Sequence, residues 1–233
     1  MGKKLYKNKT LIVIFLLFVN IQMFSSMWDF RKFYSSTGWK KFFRARQPKQ
    51  RINFANVNDE LMSAAIFYAT NYYRIKYGLK PFKYSRYLQA SSIALSKDLV
   101  MYKIKKTYRV RSIAELVRKF TKTGYRYLMY NGYSFCALNT PPGTLIKPPN
   151  NFHGSYYDYR GRKVLPKSYL NYAFHVVGQM LNNRITRYKI LSRNLTVMGT
   201  GSTLYYFNKL PIFLVVQIFA DNMLDEVPTS DSK

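Results

Sequence analysis

Apolar residues at Leu61, Ala64, Ala65, Tyr68, Ala69 and Tyr72 recur at the three- and four-residue spacing that places side chains on one face of a helix. The spacing predicts a helix that opens near Asn58 and closes at Gly78, ahead of Pro81. A second helix is predicted through Leu88, Ala90, Ile93, Ala94 and Leu99, and a third from about Ile113 to Thr123. A fourth runs from about Tyr169 to Asn182, with Ala173, Val176, Val177, Met180 and Leu181 as its buried face. After it the apolar runs shorten and fill with β-branched residues and rings, which predicts strands at Leu195–Met198, Thr203–Phe207 and Ile212–Phe219. The last two read as a hairpin joined by Asn208-Lys209-Leu210-Pro211. Residues 138–168 are punctuated by Pro141, Pro142, Gly143, Pro148, Pro149, Gly154 and Gly161, so a long loop without regular elements is expected for most of them.

Ahead of this pattern lie two segments of other character. Lys3, Lys4, Lys7 and Lys9 precede an unbroken apolar run from Leu11 to Val19. That run is too short for a spanning helix, which wants about twenty apolar residues, so residues 1–26 read as a secretory signal peptide. The protein is expected to be secreted or extracellular, and membrane-anchored if the leader is retained. Residues 27–57 form a basic aromatic arm carrying Trp28, Phe30, Arg31, Lys32, Phe33 and Tyr34, then Trp39, Lys40, Lys41, Phe42, Phe43 and Arg44. Each ring set can share one side of a helical turn, with Ser35-Ser36-Thr37-Gly38 as a breaker between them. Three uses of the arm are open: insertion at a membrane interface, packing onto the domain, and stacking on single-stranded bases.

Composition narrows the partners. Lys and Arg number 38 against ten carboxylates, a formal net charge of +28, and aromatics reach 18%. A field of that size attracts polyanions and anionic membranes. Within the long loop, Tyr156, Tyr157, Tyr159, Arg160, Arg162 and Lys163 form a second cluster of rings and cations, either a binding loop or a disordered insert. Cys136 is the one cysteine, so an intramolecular disulfide is excluded. No Gly-rich phosphate loop, paired carboxylates or serine nucleophile elbow is present. Asn194-Leu195-Thr196 matches a glycosylation acceptor but falls where a strand begins. The tail, residues 221–233, is polar.

Several stretches together resemble a known family. Val176-Val177-Gly178-Gln179-Met180-Leu181, then Arg184-Ile185-Thr186-Arg187, Met198-Gly199-Thr200-Gly201 and Gln217-Ile218-Phe219 follow the spacing of the closing half of the bacterial-type CAP (SCP-like) domain. Upstream, Asn71-x-x-Arg74 and Gly78-Leu79-Lys80-Pro81-Phe82 are similar to that family's opening, and Ala94 to Leu99 to its second helix. The resemblance implies an α+β fold, a three-layer α-β-α sandwich over residues 58–220. It also implies a cleft in which two His and nearby carboxylates hold a metal. Here Thr107, or Tyr108 with a one-residue slip, stands at the first His position, Tyr133 at the first Glu and Thr186 at the second His.

Those substitutions remove the ligands such a site needs. His175, Gln179 and Arg187 remain as cleft candidates, and His153 is the other histidine. With Cys136 expected to be inert, no catalytic residue, metal or cofactor is assigned. The resemblance implies a secreted, non-enzymatic binding module. Its expected partner is an anionic membrane or envelope surface, possible lipid included, met by the arm and the Tyr/Arg loop. The alternatives are a polyanion binder, for nucleic acid or acidic glycan, and a residual metal-dependent hydrolase.

Overall fold

The computed structural model describes residues 34, 39–120, 125, 127–141, 143–149 and 154–221. They belong, Tyr34 apart, to a compact unit that begins at Trp39. The leader, Trp28, Phe30, Arg31, Lys32, His153 and most of the polar tail lie outside the described residues.

The α+β, three-layer arrangement is present. A four-stranded sheet has the order β1-β6-β7-β2, from Lys83–Tyr84 (β1), Leu128–Cys136 (β2), Val197–Phe207 (β6) and Leu210–Ala220 (β7). Strand β1 runs parallel to β6, and the other neighbours are antiparallel. Helix α1 (Trp39–Arg44) precedes α2 (Asp59–Lys76), and α5 (Tyr169–Asn182) packs beside α2 on one face of the sheet. Helices α3 (Arg86–Ile104) and α4 (Ile113–Phe120) cover the other face.

The period-two pattern of β7 serves both layers. Leu214, Val216, Ile218 and Ala220 join Leu88, Leu95, Leu116 and Val117 in the α3–α4 layer. Phe213, Gln217 and Phe219 meet Tyr172, Thr70 and Phe82 in the other layer. A fully buried apolar side chain contributes about 1.5–3 kcal/mol, so a strand apolar on both faces ties the layers together.

The helices begin where side-chain caps are available. Asn58 accepts from the Leu61 amide at 2.9 Å, Ser85 from Leu88 at 3.3 Å and Ser168 from Asn171 at 3.1 Å. The strands at Leu195 and Thr203 expected as separate pieces are one strand, β6, running through Gly199 and Gly201. Its hairpin with β7 closes on two residues, Asn208 and Lys209, both at positive φ as a primed turn requires.

The segment expected as a structureless loop holds a second sheet of order β3-β4-β5, from Ile146–Lys147 (β3), Tyr156–Asp158 (β4) and Lys163–Val164 (β5). The β4–β5 turn carries Gly161 at φ +74° and is pinned by Asp158, which accepts from the amides of Arg160 and Arg162, both at 2.9 Å. Short strands flanked by Pro and Gly give almost no periodicity, which is why the sequence pattern did not disclose them.

Candidate functional site

The motif residues that carried the family resemblance are bonded into the frame. Asn71 on α2 grips the backbone of Phe82, accepting from its amide at 2.7 Å and donating to its carbonyl at 3.1 Å. Gln217 donates to Thr70 Oγ1 at 2.8 Å, deep between β7 and α2. Gly199 and Gly201 lie directly beneath α3, where Ser92 Oγ donates to the Gly199 carbonyl at 3.0 Å.

The positions of the family's site residues are occupied differently. Thr186 is buried in α6 (Arg184–Ile190), where its hydroxyl donates to the Met180 carbonyl and secures the corner between α5 and α6. Asn183 caps α6, accepting from Ile185 at 3.0 Å and Thr186 at 3.3 Å. Tyr133 stacks on Phe135 at 5.6 Å between centroids. Thr107 is exposed, and Tyr108 donates to Asp98 at 3.0 Å. A carbonyl-bonded hydroxyl, a stacked phenol and a phenol engaged by a carboxylate do not fit a metal. Among the described residues, no three His, Cys, Asp or Glu side chains gather as a metal would need.

The Tyr108 position belongs instead to an ion-paired brace. Asp98, with 2% of its side chain accessible, accepts from Arg111 Nε at 2.7 Å and Nη2 at 2.8 Å. Burial alone would raise its carboxyl, but the bonds from Arg111 and Tyr108 outweigh it and hold the carboxyl below the usual range. The stabilisation is therefore fully present above the unfolded carboxyl value of about 3.9 and is lost as pH falls through the lower folded value. Asp98→Asn is expected to cost about 1–3 kcal/mol, below the figure for a fully buried pair because Arg111 keeps water to turn to. Urea titrations from neutral pH down to pH of about 3 should find the variant's deficit shrinking as wild type protonates.

The cleft candidates do not converge on one point. His175 is exposed and meets the Phe135 ring edge-on at 6.0 Å. Partial burial, then nearby Lys167, lowers its pKa. Gln179 is exposed one turn further along α5. Arg187 lies on α6, its guanidinium 6.0 Å from the Tyr77 ring centroid.

The ring and cation clusters divide between core and surface. In α1, Phe42 is buried and stacks on Tyr68 at 4.5 Å, while Trp39 and Phe43 pack on Tyr72 and Phe174. Phe42 is therefore corrected from surface to core, Trp39 and Phe43 are half-buried by their ring contacts, and Lys40, Lys41 and Arg44 are exposed. Tyr156 is also corrected from surface to core. It is buried against Leu138 and Val164, its hydroxyl donates to the Lys209 carbonyl at 3.2 Å, and burial pushes its pKa to about 12.

The other members of the loop cluster stay outside. Tyr157 and Tyr159 are exposed, Tyr159 to 73%, with Arg160, Arg162 and Lys163 beside them. Asp158, the carboxylate among them, turns inward and is bonded by Arg162 Nε at 2.7 Å. Next to this hairpin runs a groove of about 280 Å³, lined by Ile52, Phe54, Tyr156, Val164 and Pro166, with Lys163 in its wall. Cys136 is a free, partly buried thiol packed against the same small core.

Comparison with known proteins gives the following. No protein-family model matches the chain, and no curated protein sequence matches it. Among solved structures, the chain is similar to an extracellular protein containing a SCP domain from Bacillus anthracis, with TM-score 0.44 and 15% identity over 70% of this chain. It is also similar to a cysteine-rich secretory protein from Staphylococcus aureus, with TM-score 0.42 and 16% identity over 71% of this chain. The chain spans only 41% and 40% of the length of those two proteins. An outer surface protein from Borrelia burgdorferi, covered over 98% of its length, is similar with TM-score 0.42 and 11% identity over 75% of this chain.

Proposed function

We propose that the protein is an exported, non-enzymatic binding module that attaches to anionic membrane or envelope surfaces. The observation that carries this reading is the β4–β5 hairpin. Its exposed face presents Tyr157 and Tyr159 beside Arg160 and Lys163, while the nearby carboxylate, Asp158, is drawn inward by Arg162. A Tyr ring at a membrane interface buries its apolar body and keeps its hydroxyl wet, and the cations answer the phosphates. The net charge of +28 supplies long-range attraction, and the basic, apolar leader is the basis for export.

The non-enzymatic reading rests on the structural contacts made at the positions where the resemblance places site residues. Thr186, Tyr133 and Tyr108 each have a structural employment, and Cys136 lies against an apolar cluster.

Co-sedimentation of the full chain with phosphatidylglycerol-containing and with pure phosphatidylcholine vesicles tests attachment. Each cation held near an anionic surface contributes about 1 kcal/mol. Tyr159→Ser, Arg160→Gln and Lys163→Gln combined should therefore weaken binding to the anionic vesicles by roughly 10- to 30-fold, with an unchanged circular dichroism spectrum. Equal sedimentation with both lipids would overturn the reading. Tight binding to nucleic acid or heparin without vesicle binding would replace it with the polyanion alternative.

A further inference from the structure

A second exposed face that pairs rings with cations lies at the end of α2 together with α6. Helix α2 finishes in Arg74-Ile75-Lys76 and is capped by Tyr77, and α6 reads Arg184-Ile185-Thr186-Arg187-Tyr188-Lys189-Ile190. Between them these two stretches carry no Asp or Glu. The helices are joined at this point. Arg74 Nη1 donates to the Ile190 carbonyl at 2.6 Å, and the Arg187 guanidinium lies over the Tyr77 ring.

Burial divides α6 sharply. Thr186 and Ile190 face the domain, whereas Ile185 is 68% exposed and Tyr188 66%. Tyr77, at 50%, and Ile75 continue the apolar exposure onto α2. Lys76, Arg184 and Arg187 are exposed around them. An exposed isoleucine alone means little, but two isoleucines and two tyrosines amid cations, with no acid in either stretch, is the composition a membrane interface selects.

We infer that this α2–α6 face is a second lipid-contacting surface, one that seats Ile185 and Tyr188 among the headgroups of an anionic bilayer while Lys76, Arg184 and Arg187 engage the phosphates. The inference rests on the proposed attachment to anionic surfaces and adds to it the part of the molecule that enters the lipid. Charge complementarity selects an anionic partner. The isoleucines favour a bilayer over a nucleic acid, because bases stack on rings and give aliphatic side chains no matching partner.

The test uses the full chain in three forms: wild type, an α6 variant carrying Arg184→Gln, Ile185→Ser, Arg187→Gln and Tyr188→Ser, and the hairpin variant described above. Vesicles of phosphatidylglycerol and phosphatidylcholine are compared at low and high salt. The α6 variant should lose at least tenfold in affinity at low salt, and it should lose the residual binding that wild type keeps at high salt, since screening removes the charge contribution and leaves apolar burial. A separate Ile185→Trp variant should shift its emission to the blue on anionic vesicles and not on neutral ones.

Wild-type binding that the α6 variant retains in full, or an Ile185→Trp emission unmoved by anionic vesicles, would overturn the inference and leave the attachment reading standing. Absence of wild-type binding to anionic vesicles would overturn both. Loss in the α6 variant alone, with the hairpin variant unaffected, would support the inference and remove the hairpin from the attachment reading.

Discussion

Gly199→Ala is expected to destabilise the native fold by more than about 4 kcal/mol, and Gly201→Ala by nearly as much. A Cβ built on Gly199 would sit 2.0 Å from the Gln89 amide nitrogen and 2.1 Å from the Leu88 carbonyl carbon. On Gly201 it would fall 2.3 Å from the Ile93 nitrogen. These neighbours are backbone atoms of a helix and cannot rotate aside, so α3 would have to lift off the sheet. Lifting it would break the Ser92 bond to Gly199 and the 2.6 Å contact between Ser96 and Thr203 hydroxyls, and would open the cluster that Leu88 and Leu95 share with β7. Ordinary overpacking costs about 1–3 kcal/mol because side chains adjust. A clash with fixed backbone should exceed about 4 kcal/mol, much of a total stability of roughly 5–15. Urea unfolding followed by circular dichroism gives the answer directly. Gly178→Ala is the control, because its Cβ would meet only the Tyr73 hydroxyl at 3.5 Å and the change favours the helix by up to about 1 kcal/mol. If Gly199→Ala is as stable as Gly178→Ala, the close approach of α3 to β6 is wrong.

The glycines also mark how far the sequence could be read. Gly199, Gly201, Asn71, Arg74 and Gln217 were legible as a spaced set, and each serves the frame through a bond or a close backbone approach. Long periodic segments were legible too: the helix expected at Tyr169 to Asn182 is α5 with those bounds. The short elements escaped. Helix α6 is seven residues starting just after Asn182, and its polar and apolar positions mean little until Ile190 is seen to face inward. The rings of the arm show another limit. Trp39, Phe42 and Phe43 share a helical side as expected, but helical spacing does not say whether that side meets lipid, bases or the chain's own Tyr68, Tyr72 and Phe174. Substituted site positions gave the clearest negative information. Threonine and tyrosine where the resemblance expects imidazoles are poor metal ligands, while their roles at the α5–α6 corner and beside Asp98 became visible only in three dimensions.

Arg74→Ala is expected to cost about 3–5 kcal/mol and to loosen α6 before the rest of the protein. Arg74 is 3% exposed and has no carboxylate partner among the described residues, whose ion pairs use Arg109, Arg111 and Arg162. Its guanidinium is satisfied by carbonyls instead: Nε donates to Lys80 at 2.8 Å, and Nη1 to Ile190 at 2.6 Å and Ser192 at 2.9 Å, above the Phe82 ring at 3.7 Å. Burial lowers its pKa to about 10, which leaves it charged at neutral pH. Removing the side chain strands three acceptors, each worth about 1–3 kcal/mol when left unpaired, and empties the space over Phe82. Arg74→Lys retains the charge but not the fork, so it should recover less than half of the loss. Because two of the three carbonyls belong to the end of α6 and the turn after it, amide hydrogen exchange in 184–192 should accelerate more than in α5. The same variant couples frame to function. If the α2–α6 face enters lipid, Arg74→Lys should keep its charge-driven vesicle binding at low salt and lose the salt-resistant part, since Ile185 and Tyr188 would no longer be held at a fixed depth beside Tyr77. Unchanged exchange in 184–192 would show that Thr186, Ile190 and the Lys189 bond to the Tyr130 carbonyl anchor α6 without Arg74.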